Sequence, residues 1–214
     1  MNPILWLFGL PSSGKTTLSK ALRDYFQRNG KQVVLLDGDE FRAGVCEDLG
    51  FSDADRLENL RRAANLAKLI AEQDHLVICS FVTPKEHHRQ RVRQVLKGDV
   101  RFVHIDCPLD TCVTRDVKGL YAKAAARKMT GMTGTQDEFE APQTVDAVIP
   151  THRMTVHEAV RSVSGLVEVE ESQQLEDALQ KPCLEKHRVT EWKTHELRTI
   201  TTTQGYGGRR RRFA

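Results

Sequence analysis

One stretch near the start of the chain constrains everything else. Gly9-Leu10-Pro11-Ser12-Ser13-Gly14-Lys15-Thr16 matches G-x-x-x-x-G-K-[ST] at every fixed position. Its flanks suit it. Ile4-Leu5-Trp6-Leu7-Phe8 is a short apolar run that reads as a buried strand, and Thr17 to Arg28 carries Leu18, Ala21, Leu22 and Phe26 at helical spacing. In a strand, glycine loop and helix start, backbone N–H groups turn inward around phosphate oxygens and the helix N-terminus adds partial positive charge. A chance glycine turn would not bring both flanks with it. The chain is therefore expected to bind a nucleoside triphosphate, with Gly9, Ser12, Ser13, Gly14, Lys15, Thr16 and Thr17 at the phosphates. Lys15 would reach the β- and γ-phosphates, and the Thr16 hydroxyl would ligate Mg²⁺. ATP and Mg²⁺ are the expected cofactors.

Further along, Val33-Val34-Leu35-Leu36 reads as a second buried strand ending in Asp37-Gly38-Asp39. Ligands of open α/β sheets bind at the carboxyl ends of the strands, which places Asp37 and Asp39 near the phosphates. Ser52 reads as the N-cap of a long helix with Leu57, Leu60, Ala64, Ala67 and Leu69-Ile70 on its apolar side. Arg56 and Asn59 are three residues apart and share a face of it. Arg61 and Arg62 are expected to be solvated. Leu76 to Phe81 is a third strand. A basic helix follows Pro84, and its adjacent His87 and His88 are expected to point in different directions on a solvated face, not to form a metal pair. Arg101 to Asp106 is a fourth strand, followed by a short helix over 109–115. Residues 115–142 are basic, bear glycines and are poor in core residues, as befits a lid that closes over a phosphoryl donor. A short strand over 147–149 and a helix over 155–163 close the domain. Strands alternating with helices predict an α/β, three-layer P-loop fold, with a parallel sheet of about five strands flanked by helices.

The 214 residues suit a kinase domain over 1–164 and a C-terminal extension over 165–214. In that extension Leu166 to Glu170 alternates like a strand, Ser172 to Leu179 suits a short helix, and the arginine-rich end reads as partly disordered. The net charge of +3 is too small to mark the chain as a nucleic-acid binder, although four consecutive arginines at 209–212 leave a weak electrostatic contact open. Five cysteines without a CxxC read as buried free thiols of a reducing compartment. No apolar run approaches membrane-spanning length, and the chain enters its first strand directly. A cytoplasmic protein without membrane contact is expected.

Taken together, several stretches resemble the adenylylsulfate kinase (APS kinase) family of P-loop kinases. They are Gly9 to Thr17, Leu36-Asp37-Gly38-Asp39, Asp48-Leu49-Gly50-Phe51-Ser52, Asp55-Arg56 with Glu58-Asn59 and Arg61-Arg62, Ser80-Phe81-Val82-Thr83-Pro84, Arg115-Asp116 with Lys118-Gly119-Leu120-Tyr121, and Gly131-Met132-Thr133-Gly134 with Phe139-Glu140-Ala141-Pro142. Their order and spacing hold to about residue 163. The resemblance implies transfer of the γ-phosphoryl of ATP to the 3′-hydroxyl of adenylyl sulfate in sulfate assimilation, and a homodimer. It implies that Arg42 and Arg56 hold the phosphosulfate, which suits arginine's planar fork. Asn59 hydrogen-bonds the acceptor, Phe51 stacks on its adenine, and the main chain of Val82 and Thr83 lines the base. Lys118, Met132 and Thr133 belong to the lid side of the acceptor, and Arg115 to the ATP side. Asp37 and Asp39 stand beside the reacting hydroxyl and with Lys15 form the catalytic set; which aspartate takes the proton stays open.

Three positions depart from the family pattern. Glu40 replaces an asparagine and adds a carboxylate near an anionic acceptor, which is unfavourable unless it is paired or points away. Met132 replaces a phenylalanine that clamps the base. Lys85-Glu86-His87-His88 replaces an aromatic and an arginine. All three lie on the acceptor side, so a 3′-hydroxyl kinase for another nucleotide conjugate, for example a cytidine-based one, is the alternative. A binding protein without turnover and a nucleic-acid end kinase are weaker readings. The complete P-loop and both aspartates argue against the first, and only the arginine tip favours the second.

Overall fold

A computed structural model describes residues 3–127 and 131–167. The expected alternation is present. In order come β1 (Ile4–Phe8), α1 (Lys15–Arg28), β2 (Val33–Asp37), α2 (Gly38–Ala43), α3 (Asp53–Ala71), β3 (Leu76–Phe81), α4 (Glu86–Leu96), β4 (Val100–Asp106), α5 (Leu109–Arg115), α6 (Leu120–Ala125) and β5 (Ala147–Pro150). A further helix, α7, covers 156–167. The sheet order is β2-β3-β1-β4-β5, and all four pairings are parallel.

The central strand explains the continuous apolar run at the start of the sequence. Every side chain of β1 is buried, because both faces of a parallel sheet are covered. Ile4, Trp6 and Phe8 point to the face that carries Leu60, Ala64 and Ala67 of α3 and Val92 and Leu96 of α4. Leu5 and Leu7 point to the other face, against Leu18, Leu22 and Phe26 of α1 and Ala159 and Val163 of α7. Each large apolar side chain so buried stabilises the fold by roughly 1.5–3 kcal/mol. The alanines of α3 let that helix lie close to the sheet.

The structure corrects several local expectations. Leu69 is 61% exposed and lies off the apolar face of α3. Arg61 and Arg62 are not simply solvated: both grip Glu58, and Arg62 also forms a two-pronged pair with Asp48. Arg89, expected on a solvated face, is fully buried, and its guanidinium donates to the carbonyls of Thr83, Pro84 and Glu140 and to Glu86. His87 and His88 do not diverge, since their ring centroids are 4.3 Å apart and His88 is buried. The segment 115–142 holds α6 and a cluster of its own, in which Tyr121, Ala124 and Met132 pack with Cys107 and Cys112. Leu166 and Val167 belong to α7 and not to a strand, so that helix runs past residue 164. The remainder of the expected strand, the helix over 172–179 and the arginine tip lie outside the described residues. Cys46, Cys79, Cys107 and Cys112 are buried free thiols, as expected.

Candidate active site

The carboxyl ends of β1, β2 and β3 open onto one cavity of about 460 Å³. One wall is the P-loop. Gly9 can only be glycine here, because a Cβ would meet the Ile105 carbonyl oxygen at 2.4 Å. Lys15, the first residue of α1, turns back so that its ammonium donates to the carbonyls of Gly9 and Leu10 at 3.0 and 2.7 Å. Burial pulls its pKa down to about 8 against the upward pull of Asp39 and Asp37. The Thr16 hydroxyl donates to Asp37 Oδ2 at 2.9 Å. The other oxygen of Asp37 caps α2 by accepting from the Asp39 N–H at 3.0 Å. Asp37 is thus fixed by both neighbours. Asp39, two residues further on, accepts from the Lys118 ammonium, which reaches over from the 115–142 segment. That hydrogen bond raises the Lys118 pKa.

The opposite wall comes from α2, α3 and the loop after β3. Phe51, half exposed, precedes the Ser52 cap of α3. The Arg42 and Arg56 guanidiniums lie 4.5 and 5.7 Å from its ring centroid. Arg42 also donates to the Gly50 carbonyl, and Arg56 to those of Phe51 and Gly131. Burial, and for Arg42 the proximity of Arg56, lowers the pKa of both. Two cations held together and partly desolvated form a site for an anion. Asn59 is buried beside them, and among the described residues its Oδ1 has no hydrogen-bond partner. Thr83 adopts φ +43°, a strained conformation for a β-branched residue. It is held there by the buried Trp6 indole, which donates to its Oγ1 at 3.0 Å, and by Arg89 on its carbonyl.

Most of the residues singled out from the sequence meet at this one cavity. Ser12, Gly14, Lys15, Thr16, Thr17, Asp37, Asp39, Arg42, Phe51, Arg56, Asn59, Val82, Thr83, Arg115, Lys118, Met132 and Thr133 all line it. Gly9 and Ser13 instead stand behind the loop, Gly9 against β4 and Ser13 buried with its carbonyl accepting from Thr151. Glu40 does not line the main cavity; it lines a small adjoining one with Lys20 and Arg23 that shares Thr16, Asp37 and Ser80 with it. Met132 lines the main cavity while anchored in the apolar cluster of Cys107, Cys112, Tyr121 and Ala124.

A family model described as Adenylylsulphate kinase matches residues 1–150. The chain belongs to the adenylylsulphate kinase family. It is 41% identical over 157 residues to an adenylyl-sulfate kinase of Paraburkholderia xenovorans, covering 73% of this chain and 88% of that one. Among solved structures, the Mycobacterium tuberculosis APS kinase CysC in complex with AMPPNP and APS superimposes with a TM-score of 0.75 at 36% identity, over 78% of this chain and 98% of that one. A hexameric APS kinase from Thiobacillus denitrificans gives a TM-score of 0.57 at 26% identity, over 78% of this chain but 29% of that one. The parallel sheet and P-loop described above are the P-loop kinase fold of this family.

Sequence reasoning missed one wall. Thr151, Met154, Thr155, Val156 and Ala159 line the cavity beyond β5. Thr151 follows β5 and donates to the Ser13 carbonyl at 2.7 Å, and Arg115 donates to the Thr151 carbonyl at 3.0 Å. The available signal was topological: this loop follows the carboxyl end of a parallel strand. Tyr121 was likewise missed as a site element. Its hydroxyl donates to the Pro11 carbonyl and ties α6 to the P-loop.

Proposed function

We propose that this chain transfers the γ-phosphoryl group of ATP to the 3′-hydroxyl of adenylyl sulfate, giving 3′-phosphoadenylyl sulfate and ADP. The observation that carries this reading is the single cavity, with a phosphate loop on one wall and the Arg42, Phe51, Arg56 and Asn59 set on the other. It has room for a donor and an anionic aromatic acceptor facing each other across Asp37 and Asp39. The relative solved with AMPPNP and APS together supports the same assignment. Glu40 is absent from the lining of the main cavity, which is in keeping with an unchanged acceptor.

The roles follow from the partners each group already has. Both oxygens of Asp37 are engaged, with Thr16 and with the α2 N-terminus. Hard oxygen donors such as the Thr16 hydroxyl and the Asp37 carboxylate suit Mg²⁺, alongside phosphate oxygens and water. Bound there, it would neutralise charge on the β- and γ-phosphates. Asp39 is the proposed base. It takes the 3′-hydroxyl proton while that oxygen bonds to the γ-phosphorus and the bridge to the β-phosphate breaks, the electron pair leaving with ADP. Lys118, already paired with Asp39, would move to the phosphates as the donor enters. Lys15 leaves the loop carbonyls for the β- and γ-phosphates. Gly14, Ser12, Thr17 and Arg115 complete the ATP side. Arg42 and Arg56 hold the phosphosulfate, Phe51 covers the adenine, and Asn59, Val82, Thr83, Met132 and Thr133 frame it.

Coupled ADP release with adenylyl sulfate tests the reading. Turnover is expected, with Asp39→Asn losing about two to four orders of magnitude in kcat, the span of a general base, while still binding ATP. Turnover only with a different nucleotide conjugate would overturn the acceptor assignment and leave the phosphoryl transfer standing. The kinase is further proposed to work in the cytoplasm as a homodimer; a relative that forms hexamers supports self-association, and sedimentation velocity decides the number. Among the described residues, no helix is long and apolar enough to cross a membrane.

A further inference from the structure

Outside the nucleotide cavity, Asp53, His87 and His88 converge from two helices. Asp53 begins α3, and the two histidines lie in the first turn of α4. Their ligand atoms all lie within 4.8 Å of one another. His87 Nε2 is 2.9 Å from Asp53 Oδ2, and His88 Nε2 is 3.2 Å from Asp53 Oδ1. His88 is fully buried, yet among the described residues neither of its ring nitrogens has a hydrogen-bond partner. His88 Nδ1 is thus a buried polar atom left unpaired, which is costly, and Nε2 faces only the Asp53 carboxylate, outside hydrogen-bond geometry. Nothing in the kinase reaction calls for that cost at this position.

We infer that Asp53, His87 and His88 form a binding site for a borderline divalent transition ion of the zinc class. Two imidazole nitrogens and one carboxylate oxygen are a common three-ligand zinc set, leaving a fourth position for water. The spacing is right. With bonds of about 2.0–2.2 Å, ligand atoms of a tetrahedral site stand about 3.3–3.5 Å apart. The histidines now lie 2.9 and 3.2 Å from different oxygens of Asp53 and the whole set within 4.8 Å, so small side-chain adjustments bring one atom of each to bonding distance of a common point. The histidines exclude the abundant hard cations, since Mg²⁺ prefers oxygen ligands in an octahedron. The Mg²⁺ of a kinase reaction would therefore not fill this site.

The cation now beside the carboxylate is the Lys85 ammonium, 3.0 Å from Asp53 Oδ1 and 3.7 Å from Asp137 Oδ1. An incoming ion would displace it from Asp53, leaving it with Asp137, which also faces Arg56 at 3.7 Å. The ion would then pin the N-terminus of α3, just after Phe51, to the N-terminus of α4, just after Thr83 and Pro84. Those are two segments of the acceptor wall.

Calorimetric titration of the full-length chain with Zn²⁺, without nucleotide, tests this independently of any kinase activity. A saturable site is expected that Asp53→Ala and His87→Ala each weaken about tenfold or more, in line with the losses seen when metal-site residues are removed. Lys85→Met is expected to tighten the same site, because it removes the competing ammonium. Co²⁺ at that site should give the intense visible absorption of a tetrahedral centre, lost in the same two variants. His88→Ala opens a buried cavity and can fail to fold, so the exposed Asp53 and His87 carry the test. Wild-type isotherms in both Asp53→Ala and His87→Ala would overturn the inference, as would weaker binding by Lys85→Met.

Discussion

Lys15 illustrates how much a single side chain depends on its surroundings. A lysine ordinarily titrates near 10.5, but burial among the loop carbonyls brings this one down to about 8. Below that value it carries its charge; above it the charge is increasingly lost. A bound triphosphate favours the charged form and pulls the pKa back up. ATP binding near pH 8–9 is therefore expected to take up protons, and affinity is expected to fall as pH rises past 8. Calorimetry in buffers of different ionisation enthalpy reads the uptake directly, and Lys15→Met should abolish it. The position and chemistry of Lys15 were legible from the P-loop spacing alone. Its pairing with Gly9 and Leu10 was not, because those bonds depend on how the loop closes over β1.

At the scale of elements, α4 does more than cover the sheet. Its buried Arg89 joins three segments: the strained Thr83-Pro84 turn, the chain at Glu140, and Glu86 of its own first turn. Arg89→Met removes the cation from a buried pair and strands the carbonyls it satisfied. A loss of about 3–5 kcal/mol in chemical denaturation is expected. At permissive temperature the KM for adenylyl sulfate should rise more than the KM for ATP, since Thr83 lines the acceptor side. Equal changes in both would reduce Arg89 to a purely global role. A row of charges after Pro84 reads in sequence as a wet face, and for Arg91 that holds, since it is exposed. Helical spacing placed Arg89 among them without showing which side met the sheet. The 115–142 segment offers the same lesson. Its scattered Tyr121, Ala124 and Met132 look too sparse for a core, yet they complete one with Cys107 and Cys112 from β4's end and α5.

For the whole molecule, surface charge sets the acid limit. Hydrogen bonds from Arg61 and Arg62 hold Glu58 down to about 2 from an ordinary 4.5, and the pair with Arg62 also lowers Asp48. A carboxylate whose pKa is depressed by folding contributes stability above its unfolded value and loses it as pH falls through the folded one. Stability is therefore expected to decline from about pH 4.5 toward 2. Glu58→Gln should flatten that decline in urea titrations at stepped pH, with the wild-type advantage confined to higher pH.

The strand–loop–helix start, the parallel alternation of elements and the family were legible in the residues, because apolar runs, glycine spacing and strand-end acids are local patterns. Strand-end position placed Asp37 and Asp39 beside the phosphates, and the family resemblance brought Arg42, Phe51, Arg56 and Asn59 to the same site. Packing in three dimensions was needed to keep Glu40 out of the main cavity, to bury Arg89, to bring Thr151 and α7 to the cavity wall, and to bring His87 and His88 to Asp53. Each depends on which face of a helix, or which end of a distant strand, packs against which neighbour. Those contacts join residues far apart in the chain, and no periodicity encodes the angle at which two elements meet.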